Sequence, residues 1–495
     1  MNQQNVSTHT VSLKTMRQID YTEENISTIS IPPEDVPMLY GKQSYLRFNI
    51  LLDGNCKGNV DESAAAASLI ERVEIWTLDN QALIENIVDY NNLAATRNFY
   101  EDNDSMVGLN GIIEGYSPND SLSSIYFDMP SSASQLGSTL FRQVEVCLPL
   151  RLSSVFYKKV FPVIAVSGIQ LKIHFARNVK CLRAYTATGF NSATAFSNKV
   201  ALAAGVAETQ VVLNNTGAEA ATLQNCPYVN DAANPPTIQY VDNSGNTQSG
   251  GSMTGMSVDA SGCIVLASSG FTPAVAANVG NKVWLTVNYN MSYKVKNLEL
   301  ICNVVEPGKG YLDAMNKKLK SDGAITMDLY SWNNYKNNVN ANETTTQQLV
   351  ACQEARACSL VNNLYNPNFS FTQNDLKPII DDMQNYQMNI HNQLIPNRVV
   401  DVSRFNTGIN WNAIAVGETT KTLSRCFPVR KENENGKHFT FGREVSKEGY
   451  TSNLRDTDVR VNMFFKSPTV NKLLYSNVYH LRRLTITDNG INVNF

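Results

Sequence analysis

The chain contains five histidines, the residue type best suited to hold a metal or exchange a proton near neutral pH. They are His9, His174, His391, His438 and His480. None lies in an H-E-x-x-H motif or beside a Cys or Asp at the spacing of metal ligands. His174 and His480 occupy polar positions of alternating segments, where an exposed or cross-strand role is typical. The histidines therefore predict neither a metal centre nor a catalytic base.

Paired carboxylates could hydrolyse a glycosidic bond if the fold placed them across a cleft from each other. The acidic groups of this kind are Glu34 with Asp35, Glu101 with Asp102 and Asp104, and Asp381 with Asp382. Adjacency in the sequence does not put two carboxylates across a cleft, and charges in solvated loops or at helix N-termini account for these residues. A β-sandwich carbohydrate-binding protein or glycosidase stays open as an alternative from a different class.

Aromatic side chains could form a platform for sugars or bases in DLYSWNNYKNN (328–338), which holds Tyr330, Trp332 and Tyr335. Packing within a strand, or a subunit contact, is the other interpretation. GGSMTG (250–255) lacks a framing strand and helix, so it predicts a flexible loop and not a phosphate site. We therefore predict a protein that is not an enzyme, with no catalytic, cofactor-binding or metal residues, no cofactor and no small-molecule substrate.

Alternation with a period of two dominates the elements that would have to position any such site. In IQLKIHF (169–175), four apolar residues alternate with three polar ones, which predicts a strand with one buried face. VEVCLPL (144–150) and ERVEIWTL (71–78) follow the same pattern. Helical spacing is rarer and predicts helices in ALIENIVDYNNLAATR (82–97) and YLDAMNKKL (311–319). The chain is therefore expected to be mainly β with a few short helices.

Length and composition limit the class of protein. A chain of 495 residues exceeds what one hydrophobic core organises. The nine cysteines are odd in number and include no C-x-x-C, which argues against a disulfide framework and favours folding in a reducing compartment. The N-terminus has no secretory h-region, and the most apolar stretch is too short to span a bilayer, so we expect a protein that is soluble when made.

Charge is spread unevenly along the chain. The net charge is −3, yet residues 396–495 carry 15 Lys and Arg against 9 Asp and Glu. A basic end of this kind could face nucleic acid or an anionic membrane, or be an ordinary solvated surface.

Two pairs of segments resemble each other within the chain. GIQLKIHFARN (168–178) matches DVRVNMFFKSP (458–468), and YKVKNLELICN (293–303) matches YHLRRLTITDN (479–489). Both members of the second pair carry an extra polar residue that shifts the alternation, as a β-bulge would. The repeat predicts a duplicated β domain, with two sandwiches of roughly eight strands each.

The spacing of these segments predicts how the chain is divided. About a hundred extra residues, roughly 179–282, separate the first pair and are rich in Ala, Gly, Ser, Thr and Asn. We expect a large surface insertion there with some β structure. The predicted divisions are an N-terminal arm (1–39), a first domain with the insertion (40–308), a helical linker (309–323) and a second domain (324–495).

VEVCLPLRLSSVFYKKVFPVIAVSGIQLKIHFARN (144–178) gives the chain a resemblance to a known family. A strand that ends in apolar-Pro-apolar, an aromatic turn, a Pro-apolar-apolar-Ala step and an alternating strand resemble the end of the first domain in double jelly-roll major capsid proteins. These form the shells of adenoviruses, tectiviruses, large nucleocytoplasmic DNA viruses, virophages and polinton-like viruses. YKVKNLELICNVVEPGKGYLDAM (293–315) and VYHLRRLTITDNGINVNF (478–495) resemble the closing strands of the two domains.

The resemblance implies a fold and a function. The fold would be two consecutive eight-stranded jelly-roll β-sandwiches, with the insertion as a tower on the outer surface. The function would be that of a major capsid protein in the virion, whose homotrimers form pseudo-hexagonal capsomers of an icosahedral double-stranded DNA virus. Its partners would be itself, neighbouring capsomers, minor capsid or penton proteins, and an inner membrane or the genome. A double jelly-roll scaffolding protein of viral assembly is the alternative within the same fold.

Overall fold

The structure is a computed structural model, and it describes most of the chain. The described residues are 7–54, 58–61, 63–79, 81–101, 113–114, 143–157, 160–184, 196–214, 235–286, 289–373, 375–402, 413–429, 438–447, 450–455, 457–487 and 490–494.

Two four-stranded antiparallel sheets form the first sandwich, which we call the first roll. One sheet has the order β1-β16-β3-β7 and the other the order β2-β8-β5-β6. A short pair, β4 and β9, lies beside them. The strands are β1 (Thr8–Lys14), β2 (Ile26–Ile31), β3 (Tyr45–Gly54), β4 (Gly58–Val60), β5 (Ile70–Thr77), β6 (Leu83–Val88), β7 (Gln143–Leu148), β8 (Ile169–Phe175), β9 (Leu182–Ala184) and β16 (Met291–Val305).

The second roll repeats this arrangement with the orders β17-β24-β19-β22 and β18-β23-β20-β21, and β25 adds to β24. Position by position, the second roll follows the chain order of the first, so the predicted duplication is confirmed as a shared topology. Its strands are β17 (Ile325–Val339), β18 (Thr345–Val350), β19 (Ala357–Tyr365), β20 (Met383–Ile390), β21 (Gln393–Asp401), β22 (Phe441–Glu444), β23 (Val459–Phe465), β24 (Lys472–Thr487) and β25 (Gly490–Asn494).

The insertion forms a sheet of its own. Between β9 and β16 the chain builds a six-stranded antiparallel sheet in the order β10-β15-β12-β13-β14-β11. Its strands are β10 (Phe196–Ser197), β11 (Glu208–Val212), β12 (Thr237–Val241), β13 (Thr247–Val258), β14 (Ile264–Phe271) and β15 (Lys282–Thr286). GGSMTG (250–255), predicted as a flexible loop, lies within β13, because both neighbouring strands pair with this segment.

Five helices are described, and the structure corrects one prediction about them. They are α1 (Tyr90–Glu101), α2 (Ser154–Tyr157), α3 (Asn178–Cys181), α4 (Lys309–Asp322) and α5 (Ala413–Ser424), with 3-10 turns at Gly41–Gln43, Ala65–Leu69 and Val163–Val166. The helix predicted over residues 82–97 begins only at Tyr90, because Leu83–Val88 pairs with β5 as a strand. Helix α4 connects the two rolls.

The separate N-terminal arm predicted for residues 1–39 is wrong for the described part of that segment. Strand β1 pairs with β16 over its whole length, and β2 pairs with β8. Both are therefore integral to the first roll. Their polar composition misled the prediction, because β1 is an edge strand with mostly exposed side chains. The remaining divisions of the chain stay predictions.

The predicted β-bulges have different outcomes in the two copies. In β16 the pairing with β3 shifts between Lys296 and Glu299, and Asn297 has a φ of 53°, so a bulge is present. In β24 the alternation of burial continues, and His480, Arg482 and Leu484 are all buried. The pairing of β24 with β19 does shift, at His480 and Tyr479, but the extra residue belongs to β19. The extra polar residue there marks a buried polar face and not a bulge.

Hydrogen bonds between the rolls show that both have the same orientation. At the end where β8 stops and β16 starts, which we call the insertion end, the Ala184 N–H of the first roll donates to the Phe371 carbonyl of the second at 2.6 Å. At the opposite end, the linker end, the Tyr330 N–H of the second roll donates to Ser154 Oγ of the first at 2.9 Å. The insertion ends of the two rolls therefore lie together, as do their linker ends, so the rolls stand side by side.

Candidate assembly surface

The five histidines lie on separate elements and each contacts protein groups. His9 is exposed, 3.6 Å from Glu306, and His391 contacts the Asn453 carbonyl at 3.1 Å. His174 Nε2 lies 3.2 Å from Glu74 of a neighbouring strand, so the cross-strand role predicted for it is present.

Two histidines are buried, although no pattern in the sequence predicts it. His480 is wholly buried, against the prediction of an exposed or cross-strand residue, and its Nδ1 contacts the Val478 carbonyl at 3.2 Å. Burial lowers the pKa of His480 to about 4 and that of His438 to about 3. Both are therefore neutral near pH 7 and serve packing between elements.

The acidic groups do not converge on a cleft among the described residues. Glu34 and Asp35 are exposed in a turn, and Glu101 forms an ion pair with Arg97 on α1. Asp102 and Asp104 lie outside the described residues. Asp381 accepts hydrogen bonds from Lys472 Nζ at 2.5 Å and from the Thr469 N–H at 3.1 Å.

Asp381 and its neighbour Asp382 have a structural role. Burial raises the pKa of Asp381, but the bonds from Lys472 and Thr469 outweigh it and hold this pKa below its usual value. Asp381 and Asp382 both have positive φ, 45° and 60°. The pair thus fixes a turn at the insertion end of the second roll, beside the start of β24.

The aromatic group of β17 is part of the seam between the rolls. Tyr330 and Trp332 both pack on Tyr479, with ring centroids 5.2 and 4.9 Å apart. Tyr335 lies on the other face of the strand and donates to Glu354 at 2.6 Å. The three rings therefore do not form one platform, which agrees with the interpretation as strand packing.

The described part of the chain holds no group of three His, Cys, Asp or Glu side chains placed to bind a metal ion. None of its helices has both the length and the apolar character needed to cross a membrane.

An ionic cluster joins the rolls at the insertion end. Asp89, just after β6, is fully buried, and its carboxylate contacts Lys180 Nζ at 3.1 Å and Lys336 Nζ of β17 at 2.7 Å. Lys180 also contacts Glu71 at 2.9 Å. Burial alone would raise the pKa of Asp89, but the two ammonium groups hold this pKa below its usual value. The cluster therefore stays charged and ties β17 to the first roll.

A second polar contact crosses the seam nearer the linker end. Arg482 of β24, fully buried, donates from Nη1 to the Ile84 carbonyl of β6 at 2.8 Å. The neighbouring Glu85 accepts hydrogen bonds from the Ser153 hydroxyl and, at 3.0 Å, from the Ser154 N–H. Burial raises the pKa of Glu85 to about 7, although these bonds and Arg482 oppose the shift. Glu85 is therefore protonated below neutral pH in the folded chain.

Glu85 gives the fold a testable pH dependence. Because its pKa rises from 4.5 to about 7 on folding, its contribution to stability is complete below pH 4.5 and is lost as the pH rises through 7. Gln cannot ionise, so we expect the free energy of unfolding of Glu85→Gln to fall by about 3 kcal/mol less than that of the wild type over this pH range. Urea unfolding of both proteins across this range, with the exposed Glu34→Gln as control, measures it. Parallel curves for Glu85→Gln and the wild type would contradict the assignment.

Helix α1 extends the seam to the segment just before β22 of the second roll. Tyr100 Oη donates to the His438 carbonyl at 2.9 Å, and the His438 ring contacts Thr96 Oγ1 at 3.1 Å. The interface between the rolls therefore consists of β6 and α1 from the first roll and of β17 and its neighbours from the second.

The strands equivalent to β6 and β17 lie at the two free sides of the pair of rolls and are largely exposed. Strand β21 has the place in the second roll that β6 has in the first, yet most of its residues are exposed, and Leu394 and Val399 are each 48 % exposed. Strand β1 has the place that β17 has in the second roll, and five of its seven residues are exposed. Met16 and Ile19, just after β1, are 67 % and 52 % exposed.

Comparison with known proteins places the fold. No family model and no curated protein matches the sequence. Similar solved structures include the Faustovirus major capsid protein, which is 8 % identical, with 97 % of this chain and 91 % of that chain covered and a TM-score of 0.54. The crystal structure of PBCV-1 VP54 fitted into a reconstruction of the virophage Sputnik is also 8 % identical, with 100 % and 98 % covered and a TM-score of 0.52. The chain therefore has the double jelly-roll fold.

Proposed function

We propose that this chain is a major capsid protein whose homotrimers form pseudo-hexagonal capsomers of an icosahedral double-stranded DNA virus. The fold supports the proposal, because the similar structures are those of viral capsid proteins. A structural role in the virion, with no catalytic activity, also fits the dispersed histidines and carboxylates.

One observation carries the proposal. The strands that form the interface between the rolls are covered inside the chain, whereas the equivalent strands at the two free sides are exposed. Inside the chain, β6 lies against β17, and Trp332 of β17 is 2 % exposed. At the free sides, the equivalent strands β21 and β1 are exposed edges. Exposed edge strands with apolar side chains invite pairing with another chain.

Further copies of the chain satisfy both free sides, with one neighbour at each side. If β21 of one chain meets β1 of the next as β6 meets β17, the contact is head-to-tail and closes into a ring when the rotation permits. Three chains would supply six rolls of like orientation, which is the pseudo-hexagonal tile. The partner of this surface is therefore the chain itself.

The insertion gives the tile its polarity. Like ends meet like ends between the rolls, so all insertions of a tile would project from the same side. We assign this side to the outside of the shell and the linker end to the inside, where a membrane or the genome would lie. Neighbouring capsomers and minor capsid or penton proteins would contact the flanks of the tile.

The proposal predicts that Leu394→Asp with Val399→Asp prevents trimer formation. Burying two unpaired carboxylates at the interface should weaken association by about 100-fold or more, while the exposed positions leave the fold intact. Sedimentation equilibrium should give a three-chain mass for the wild type and a one-chain mass for the variant.

The matched control is Val206→Asp with Val279→Asp on the insertion, at positions 50 % and 61 % exposed. It should keep the three-chain mass, and electron microscopy of its particles should show a hexagonal outline. A wild-type chain that stays monomeric at high concentration, or a β21 variant that associates as tightly as the wild type, would refute the proposal.

A further inference from the structure

Helix α4 lies where it can contact something beyond the chain. It connects the end of β16 to the start of β17, and both of these strand ends lie at the linker end of the rolls. None of its fourteen residues is buried. A helix of this length draws its stability mostly from packing of one face, so an uncovered helix suggests a missing partner.

The exposed helix is amphipathic. Tyr311, Leu312, Met315 and Leu319 follow helical spacing and share an apolar stripe about 100° wide. Tyr311 is 42 % exposed, and the other three are partly exposed. The stripe is therefore partly accessible and is not buried in the core of either roll.

The charge of the helix is basic. Lys309, Lys317, Lys318 and Lys320 outnumber the two aspartates of the helix, Asp313 and Asp322. On a helical wheel Lys318 lies about 20° beyond one edge of the apolar stripe, while Lys309 and Lys320 lie about 60–80° beyond the other. Lysines that border an apolar stripe extend their charged ends to a polar surface while the stripe enters an apolar layer.

We propose that α4 is a membrane-surface helix that docks the linker end of the protein on an anionic lipid bilayer. The inward direction of this end rests on the proposed function, whereas the lipid contact follows from the helix itself. Duplex DNA would use the lysines but leave the apolar stripe without a role. A bilayer interface uses both, because apolar side chains enter the acyl boundary and lysines meet anionic headgroups.

Vesicle flotation of the purified full-length protein tests the proposal. We expect binding to phosphatidylcholine vesicles that contain phosphatidylserine and little binding to phosphatidylcholine alone. Lys318→Gln with Lys320→Gln should weaken binding about 30-fold, at about 1 kcal/mol for each lysine. Tyr311→Ser with Met315→Ser should also weaken it. Lys199→Gln with Lys282→Gln, at exposed positions of the insertion, is the charge-matched control and should bind like the wild type.

The outcomes separate the two proposals. The oligomer mass is measured on the same samples, so trimers that ignore the vesicles would overturn only the role of α4. Monomers that bind through α4 would overturn only the capsid proposal. Tight binding to duplex DNA that the Tyr311 and Met315 changes leave intact, without vesicle binding, would assign the helix to nucleic acid and overturn the lipid assignment.

Discussion

Replacing Asp89 with Ala should lower the free energy of unfolding by about 3–5 kcal/mol, the usual cost of breaking a buried ion pair. The change leaves Lys180, which is 5 % exposed, with Glu71 as its remaining carboxylate contact, and it removes the buried anion that holds Lys336 to the first roll. Urea unfolding followed by circular dichroism measures the loss.

The matched control is the exposed ion pair of Glu24 and Arg177, whose side chains are 64 % and 68 % exposed. Glu24→Ala should cost less than about 1 kcal/mol because solvent screens this pair. Adding Lys180→Met to Asp89→Ala should restore part of the stability, since it removes a buried charge that has lost its buried counter-ion. A loss at Asp89 no larger than that at Glu24 would show that the seam does not depend on the cluster.

Gly442→Ala should destabilise the second roll by about 3 kcal/mol through overpacking. A Cβ at this position would overlap the Leu360 carbonyl of β19 and lie 2.8 Å from Thr422 Cγ2 of α5. The carbonyl belongs to the paired ladder of β19 and β22, so it cannot move away without breaking the sheet.

Gly417 in α5 provides the opposite case with the same substitution. A Cβ there would meet nothing within 4 Å, so Gly417→Ala should raise stability by about 0.5–1 kcal/mol through helix propensity. Thermal unfolding of both variants compares them directly. Similar effects of the two changes would mean that β19 and α5 do not close the space at Gly442.

The sequence was most informative where one face of a strand is buried within its own roll. Alternation in 169–175 and 459–465 identified equivalent strands of the two rolls, because their burial follows the local period of two. The insertion was visible for the same reason, since its length separates two recognisable strands. These features depend on short-range pattern and chain length alone.

The seam between the rolls was hidden from the sequence for a physical reason. His480 and Arg482 look solvent-exposed in the printed chain, yet residues hundreds of positions away bury them. Asp89 is a lone carboxylate in the sequence and belongs to none of the patterns that predict a site. Strand β1 was missed because its exposed edge has a polar composition. Burial by distant segments cannot be read from local periodicity.

The insertion is attached to the first roll in a way that would allow its sequence to be replaced. Its incoming strand β10 and its outgoing strand β15 pair with each other, with Phe196 opposite Val283. The closure is therefore made inside the insertion and not by the sandwich beneath it. Natural variation, or the grafting of a foreign segment for display, could rewrite the sequence between these two strands while the two rolls kept their shape.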